Sequence, residues 1–220
     1  PPARSRGGAA LQMDAGEAGF RRAWQLPTMN GLDWLTRLVD KALVVFDEQS
    51  QEPRYRRLET IREYAREKLL DADEAESLRD RHLRYFVHVT EYVEPMLQTA
   101  QRSEWLPRLE AEHDNLRFAL EWAFKRDLEL ARWLTGLLYW FWHYGDHLAE
   151  PIAWYARVLE AGERVQPTRG LALALMGSGL VSTRLYYAGE AMSPLERSVS
   201  IWQQLGDPLR LAWSYWALAR

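Results

Sequence analysis

Residues 56–71 read RRLETIREYAREKLLD, and residues 109–124 read LEAEHDNLRFALEWAF. Both stretches repeat apolar side chains at helical spacing. Thr60 and Glu63 have the spacing of a capping box, in which each side chain bonds the backbone amide of the other residue. Segment 57–115 is therefore predicted to be a run of closely spaced helices that joins two different architectures.

The chain before this segment has a different pattern. Residues 1–19 are small and polar, which predicts a frayed N-terminus. Leucines recur at helical spacing over 32–42, so we expect a helix there after a turn. The β-branched and aromatic run 44–46 and the alternating run 54–58 flank a polar loop, and they predict a β-hairpin.

The chain after this segment repeats itself. Asp73 and Glu76 form a second capping-box pattern, after which helices alternate with short breaks. The sequence GLALALMGSGL at 170–180 aligns with RLAWSYWALAR at 210–220, a period of 40 residues. Such a period is typical of helix-turn-helix repeats that stack into a right-handed solenoid, so we predict a mainly α fold with one short β-hairpin. The array is expected to be truncated, because residue 220 falls inside a repeat.

Composition excludes several classes of protein. The 220 residues carry a net charge of −3, which gives no bulk attraction to nucleic acid or anionic membranes. The apolar run at 134–142 is well short of the roughly 20 residues of a membrane span. The absence of cysteine fits a reducing compartment, so we expect a cytoplasmic protein without membrane contact.

Three motifs in order carry a family resemblance. They are RYRRLETIREYAREKL at 54–69, RHLRYF at 81–86 and WLPRLEAEHDNLRFALEWA at 105–123. Together they resemble the segment between the nucleotide-binding and repeat regions of bacterial STAND-class (NB-ARC-like) signal-transduction regulators. Members of that family are transcriptional regulators with an ATPase module and tetratricopeptide repeats.

The resemblance implies a domain organisation and a role. Residues 1–58 would be a partial winged-helix domain with a frayed start, 59–125 a helical linker, and 126–220 tetratricopeptide-like repeats. The role would be a sensor that binds an inducer or protein partner, or that holds its own ATPase module inactive. ATP or ADP and Mg²⁺ are expected only in a missing upstream module, because no GxxxxGK[ST] phosphate loop occurs here.

A second function is predicted for the basic strand of the hairpin. Arg54, Arg56 and Arg57 could contact DNA phosphates, with Tyr55 as a stacking surface. The alternative is a solvated hairpin edge whose charge prevents strand pairing. The family resemblance favours that alternative, since this wing packs within the ATPase module, and direct contact with nucleic acid is not expected.

Histidines suggest a metal site. His143 and His147 are four residues apart with Asp146 beside the second, a spacing that can hold a metal on one helix. Gly145 lies between them at a predicted break, so the alternative is an ordinary turn between helices. His143, Asp146 and His147 are therefore candidate metal ligands, with the ordinary turn as the alternative.

No catalytic constellation is recognised, and the chain is not expected to be an enzyme. Glu110, Glu112, His113 and Asp114 could perform acid–base chemistry, but on a solenoid helix such residues usually form a polar face or salt bridges. The sequence GSG at 177–179 lacks the spacing of a nucleophile elbow, and its small residues suit tight helix packing.

Aromatic residues are the strongest remaining signal. Trp140, Phe141, Trp142 and Tyr144 cannot all face one side of a helix, because successive residues are 100° apart. Some of them must meet solvent, a neighbouring segment or a partner. We predict a partner-binding surface that includes one or two of Trp140, Trp142, Tyr144 and Tyr187.

Overall fold

A computed structural model of the chain describes residues 28–47, 54–57, 59–145, 147, 149–161, 166–185 and 188–219. Over these residues the protein is mainly helical, which confirms the predicted mainly α fold. The chain divides into two compact units, Pro1–Arg81 and His82–Arg220.

The described residues of the first unit up to Asp71 form two helices and a hairpin. Helix α1 (Thr28–Asp40) begins inside the stretch that the sequence predicted to be a turn. Strands β1 (Val44–Asp47) and β2 (Arg54–Arg57) pair antiparallel with Val44 opposite Arg57, which confirms the predicted hairpin. Helix α2 (Glu59–Asp71) follows directly.

Helices α1 and α2 are each followed, two residues after their last residue, by a residue with a left-handed backbone. Ala42 has a φ of 55°, and the amide of Leu43 donates to the carbonyl of Leu38 at 2.9 Å. Asp73 has a φ of 56° and closes α2 with the same bond pattern. This is the Schellman arrangement, which satisfies the last carbonyls of a helix and reverses the chain.

The two predicted capping boxes are wrong. Helix α2 begins at Glu59, so Thr60 lies inside its first turn instead of preceding it. Asp73 terminates α2, and the next helix begins at Ala75. At Asp73 the physical reason is that a residue in the left-handed region completes the end of one helix and cannot at the same place present the extended backbone of an N-cap.

The regular elements that the structure describes in the second unit are all helices, and the first of them, α3 (Ala75–Val93), begins before His82. None of the helices that the structure describes combines the length and apolar character needed to cross a membrane. The elements are α3 (Ala75–Val93), a short 3-10 helix (Met96–Gln98), α4 (Arg102–Ala111), α5 (His113–Arg126), α6 (Leu128–Leu137), α7 (Tyr139–Tyr144), α8 (Ala149–Glu160), α9 (Arg169–Arg184), α10 (Ala188–Leu205) and α11 (Pro208–Leu218).

Three helices of this unit start with the same device at regular intervals. The side chains of Asp127, Thr168 and Asp207 accept backbone amides at the starts of α6, α9 and α11. These caps are 41 and 39 residues apart, close to the 40-residue period of the sequence. Each cap satisfies amides that lack an intrahelical partner, so the caps fix where the repeated helices begin.

Helix α9 is enclosed by its neighbours in the second unit. It packs against α6, α8, α10 and α11, and most of its residues are buried. A Cβ on Gly177 would overlap the ring of Tyr155, and one on Gly179 would lie 2.5 Å from Cγ of Leu195. The interpretation of this small-residue stretch as a tight packing surface is therefore confirmed.

Candidate functional site

Four ionisable side chains converge where two helix junctions meet. Glu110 lies in the last turn of α4, His113 begins α5, His147 precedes α8, and Glu150 lies in the first turn of α8. Nε2 of His147 is 2.8 Å from Oε2 of Glu110, and Nε2 of His113 is 2.8 Å from Oε2 of Glu150. We call these four residues the histidine–carboxylate cluster.

The cluster is partly buried, and the guanidinium group of Arg117 binds Glu150 at its edge. The side chains of His113 and Glu150 are 12% and 15% exposed, whereas His147 and Glu110 are 25% and 36% exposed. Arg117 donates from Nε to Oε1 of Glu150 at 3.0 Å and from Nη2 to Oε2 at 2.9 Å. Such a two-pronged contact fixes the orientation of the carboxylate.

The contacts of Glu150 set its protonation. Burial alone would raise its pKa, but the hydrogen bond from Arg117 and the charges of His113 and Arg117 outweigh burial, so the pKa lies below its ordinary value. The hydrogen bond to Glu150 is also the main reason that the pKa of Arg117 is raised. Arg117 and Glu150 are thus an ionised pair with a fixed geometry beside His113.

Backbone and aromatic surfaces enclose the two histidines. Their ring centroids are 4.0 Å apart, and Phe141 stacks on His147 and meets His113 edge-on. A Cβ on Gly145 would lie 2.8 Å from Oε1 of Glu110, so this glycine allows the carboxylate to approach the backbone. Ligand atoms of Glu110, His113 and His147 all lie within 4.8 Å of one another, close enough to converge on a single metal ion.

Of the predicted metal ligands that the structure describes, His143 and His147, only His147 lies in this cluster. Nδ1 of His143 instead forms a hydrogen bond of 3.2 Å with the hydroxyl of Tyr139. Nη1 of Arg184 donates a hydrogen bond to the carbonyl oxygen of His143. Helix α7 ends at Tyr144, so His143 and His147 do not share a helix. Asp146 lies outside the described residues.

The predicted acidic group around His113 is divided by the structure. Glu110 and His113 belong to the cluster. No spacing in the sequence indicates that they lie close to His147, because 37 residues separate His147 from Glu110. Glu112 accepts from Nδ2 of Asn115 at 2.6 Å, and the almost fully exposed Asp114 lies 3.6 Å from Arg117. Those last two residues belong to a polar face, which was the alternative interpretation.

The aromatic residues predicted to bind a partner lie mainly inside the unit. Trp140 and Trp142 are 6% and 2% exposed, so their side chains do not offer the surface that the sequence suggested. Trp140 contacts Trp213 and Trp216 of α11, and Trp142 meets Tyr155 of α8, edge to face. The physical reason is that neighbouring helices cover α7 on different sides and so bury residues that point in different directions.

Two other predicted partner residues have different fates. Tyr144 is half-buried, since Trp140 stacks on it at 5.8 Å and the guanidinium of Arg102 lies 4.1 Å from its ring. Tyr187 lies outside the described residues.

The arginines proposed for DNA contact all lie on β2. The register places Arg54 opposite Asp47, Arg56 opposite Val45 and Arg57 opposite Val44. Their side chains lie outside the described part of the chain, so the structure assigns their backbone only.

A second polar network surrounds Trp133, and the sequence did not predict it. Nε1 of Trp133 donates to Glu91 at 2.7 Å, and the guanidinium groups of Arg169 and Arg210 lie 5.3 and 5.7 Å from the Trp133 ring. Arg210 also binds Glu94 with both of its terminal nitrogens. This network joins α3, α6, α9 and α11, and its members are too far apart in sequence for any local pattern to reveal it.

These features define a class of protein: a mainly α chain with a β-hairpin in its first unit and repeatedly capped, stacked helices in its second. The chain is 34% identical over 189 residues to proteins of Mycobacterium tuberculosis and Mycobacterium bovis that are named as candidate HTH-type transcriptional regulators. The match covers 82% of this chain and 21% of each relative, so the chain spans about a fifth of their length. No family model and no solved structure matches the chain.

Proposed function

We propose that this chain is a non-catalytic regulatory module of a larger cytoplasmic transcriptional regulator. The observation that carries the proposal is the similarity to relatives that are named as HTH-type transcriptional regulators. Most of this chain aligns with about a fifth of the length of each relative. The array of helices in residues 82–220 supports a binding role, because stacked helices offer extended surfaces to other molecules.

In this proposal the helical unit receives the signal. It binds a protein or a small-molecule inducer, or it holds the ATPase module of the same regulator inactive, as the resemblance to STAND-class regulators implies. ATP or ADP and Mg²⁺ act in that other module. Met192 on α10 and Tyr215 on α11 are two contact candidates, because their side chains are 48% and 47% exposed.

The first test uses the full-length regulator with a transcriptional reporter. Met192→Glu and Tyr215→Glu place a charge on these exposed apolar positions, and each is expected to change the inducible output severalfold. Ser193→Glu adds the same charge at the exposed neighbour of Met192 and should leave the output unchanged. Identical output from all three variants would refute the assignment of Met192 and Tyr215 to signal reception.

The non-catalytic part of the proposal has its own test. The purified 220-residue chain is expected neither to hydrolyse nor to bind ATP, measured by phosphate release and by titration with a fluorescent ATP analogue. Turnover that survives rigorous purification would contradict it.

DNA contact by β2 is the second candidate, because three arginines share one strand of a hairpin. Fluorescence anisotropy with duplex DNA at low and moderate salt separates it from the first. Binding that weakens with salt and is lost in Arg56→Glu/Arg57→Glu would favour DNA contact. Absence of binding at low salt would favour the regulatory module.

A further inference from the structure

We infer that Glu110, His113 and His147 form a binding site for one divalent transition-metal ion of the Zn²⁺ class. Their ligand atoms already lie within 4.8 Å of one another, and of these three residues only His147 belongs to the metal set that the sequence suggested. The inference is independent of the proposed regulatory role, since the chain can hold a metal whatever signal it receives.

The distances require only small movements to close around an ion. A tetrahedral Zn²⁺ with bonds of about 2.0–2.2 Å to nitrogen and oxygen holds its ligand atoms roughly 3.3–3.5 Å apart. Nε2 of His147 and Oε2 of Glu110 are now 2.8 Å apart, so this pair opens by about 0.5 Å when an ion replaces the shared proton. The third ligand atom, on His113, moves inward by at most about 1.5 Å, within reach of side-chain rotation.

Glu150 and Arg117 are placed to orient the imidazole ring of His113 toward an ion. A metal-bound histidine usually donates its other ring N–H to a carboxylate, which fixes the tautomer and orients the ring. Nε2 of His113 is 2.8 Å from Glu150, and Arg117 holds that carboxylate with two hydrogen bonds. In the proposed site Nε2–H of His113 donates to Glu150, and Nδ1 is the nitrogen that binds the ion.

Burial at the site permits both entry and retention of an ion. Glu110 and His147 are about a third and a quarter exposed, so an ion reaches them from solvent. His113 is nearly buried, and Phe141 packs against both imidazole rings. An apolar wall of this kind lowers the local dielectric and strengthens the attraction between the ion and the Glu110 carboxylate.

The donor set selects the class of ion. Two imidazole nitrogens and one carboxylate oxygen suit Zn²⁺ and its neighbours Co²⁺ and Ni²⁺, whereas Mg²⁺ and Ca²⁺ prefer oxygen ligands alone. The fourth position would be filled by water, as in other zinc sites with three protein ligands. Because Glu110 and His113 flank the junction of α4 and α5 while His147 precedes α8, the ion would clamp these two junctions together.

The experiment titrates the tag-free chain, stripped with a chelator, with ZnCl₂ in a calorimeter. One Zn²⁺ per chain is expected to bind with a dissociation constant in the micromolar range or below, and Mg²⁺ and Ca²⁺ are expected not to bind. Co²⁺ should give the intense visible absorption of a four-coordinate site. The absence of saturable one-to-one binding at up to about 100 µM Zn²⁺ would overturn the inference.

Variants assign the ligands. His147→Gln and Glu110→Gln should each weaken Zn²⁺ binding by at least about tenfold, and Glu150→Gln by about tenfold through the loss of orientation. His143→Gln is the matched control, because it removes the histidine that the sequence predicted but that lies outside the cluster. Equal weakening by His143→Gln would overturn the assignment.

One further measurement keeps the test decisive if a variant folds poorly. The Co²⁺ spectrum of the unmodified chain reports ligand type and coordination number without any substitution. A six-coordinate spectrum, weak in the visible range, would contradict the proposed four-coordinate site even if every variant failed to fold.

Discussion

Arg210 and Glu94 form a two-pronged ion pair although 116 residues of chain separate them. Nη1 lies 3.0 Å from Oε1, and Nη2 lies 3.1 Å from Oε2. The side chains are only 14% and 7% exposed. Glu94 directly follows α3 and Arg210 lies in the first turn of α11, so the pair connects the first and last helices of the second unit.

Removing one member of this pair should strongly destabilise the second unit. Arg210→Ala leaves the Glu94 carboxylate buried without its cation, a change that costs about 3 kcal/mol or more in proteins. Urea unfolding followed by tryptophan fluorescence measures the free energy of unfolding. Gln98 also donates to Glu94 at 3.1 Å, and a single neutral donor does not replace the cation.

Two comparisons control that experiment. Replacing both charges, in Glu94→Leu/Arg210→Met, should cost less than Arg210→Ala, since no charge is then left buried and unpaired. Arg169→Ala breaks the Arg169–Asp207 pair, whose arginine is 62% exposed, and should cost less than about 1 kcal/mol. Equal losses in Arg210→Ala and Arg169→Ala would show that the buried pair has no special weight.

Ala42→Gly should stabilise the first unit. Ala42 has a φ of 55°, a left-handed conformation that costs a residue with a Cβ about 1–2 kcal/mol. Part of that gain is lost to the greater entropy of glycine in the unfolded chain, so we expect a net increase of about 0.5 kcal/mol in the free energy of unfolding. Thermal unfolding by circular dichroism checks it, and a loss of stability would contradict the assigned backbone conformation.

Gly206→Ala is the reverse experiment in the second unit. Gly206 has a φ of 69°, and a Cβ placed there meets no atom within 4 Å. The cost is therefore backbone strain alone, about 1 kcal/mol. Chemical denaturation measures it, and a cost of several kcal/mol would point to a steric clash that the structure does not contain.

Gly177→Ala should destabilise the contact between α8 and α9. Its Cβ would overlap the hydroxyl and ring of Tyr155, whose hydroxyl donates to the carbonyl of Thr135 at 3.2 Å. Overpacking of this kind costs about 1–3 kcal/mol. Ser178→Ala, at the next and less buried position, is the control and should change the free energy of unfolding by less than about 0.5 kcal/mol.

Glu121 should contribute a pH-dependent part of the stability. The hydrogen bond from Arg157, 2.8 Å from Nη1 to Oε1, lowers the pKa of Glu121 below its ordinary value of 4.5. Ionised Glu121 therefore stabilises the fold above about pH 4.5, and this contribution is lost as the pH falls through the lowered pKa. The carboxylate is 49% exposed, so solvent screening keeps the contribution below about 1 kcal/mol.

The measurement is the urea midpoint between pH 7 and pH 3. Glu121→Gln should flatten its decrease at acidic pH, and Arg157→Gln should flatten it to a similar extent because it removes the cause of the shift. A slope unchanged by both variants would show that this pair does not link folding to protonation.

Local patterns were sufficient for the secondary structure and for the repeat. The alternation around Val44 and Tyr55 identified the hairpin, and the 40-residue period anticipated the regular caps at Asp127, Thr168 and Asp207. These features depend on residues that are near one another in sequence. The helix boundaries were less predictable, because Asp73 suits both a helix start and a left-handed helix end.

The sequence by itself determined that the chain is helical, repeats about every 40 residues and contains a basic hairpin, because periodicity and turn chemistry act over a few residues. Only the tertiary structure decided which side chains meet. It brought His147 to Glu110 and Arg210 to Glu94, and it buried Trp140 and Trp142 beneath neighbouring helices. Those contacts depend on how the helices stack, which no local pattern specifies.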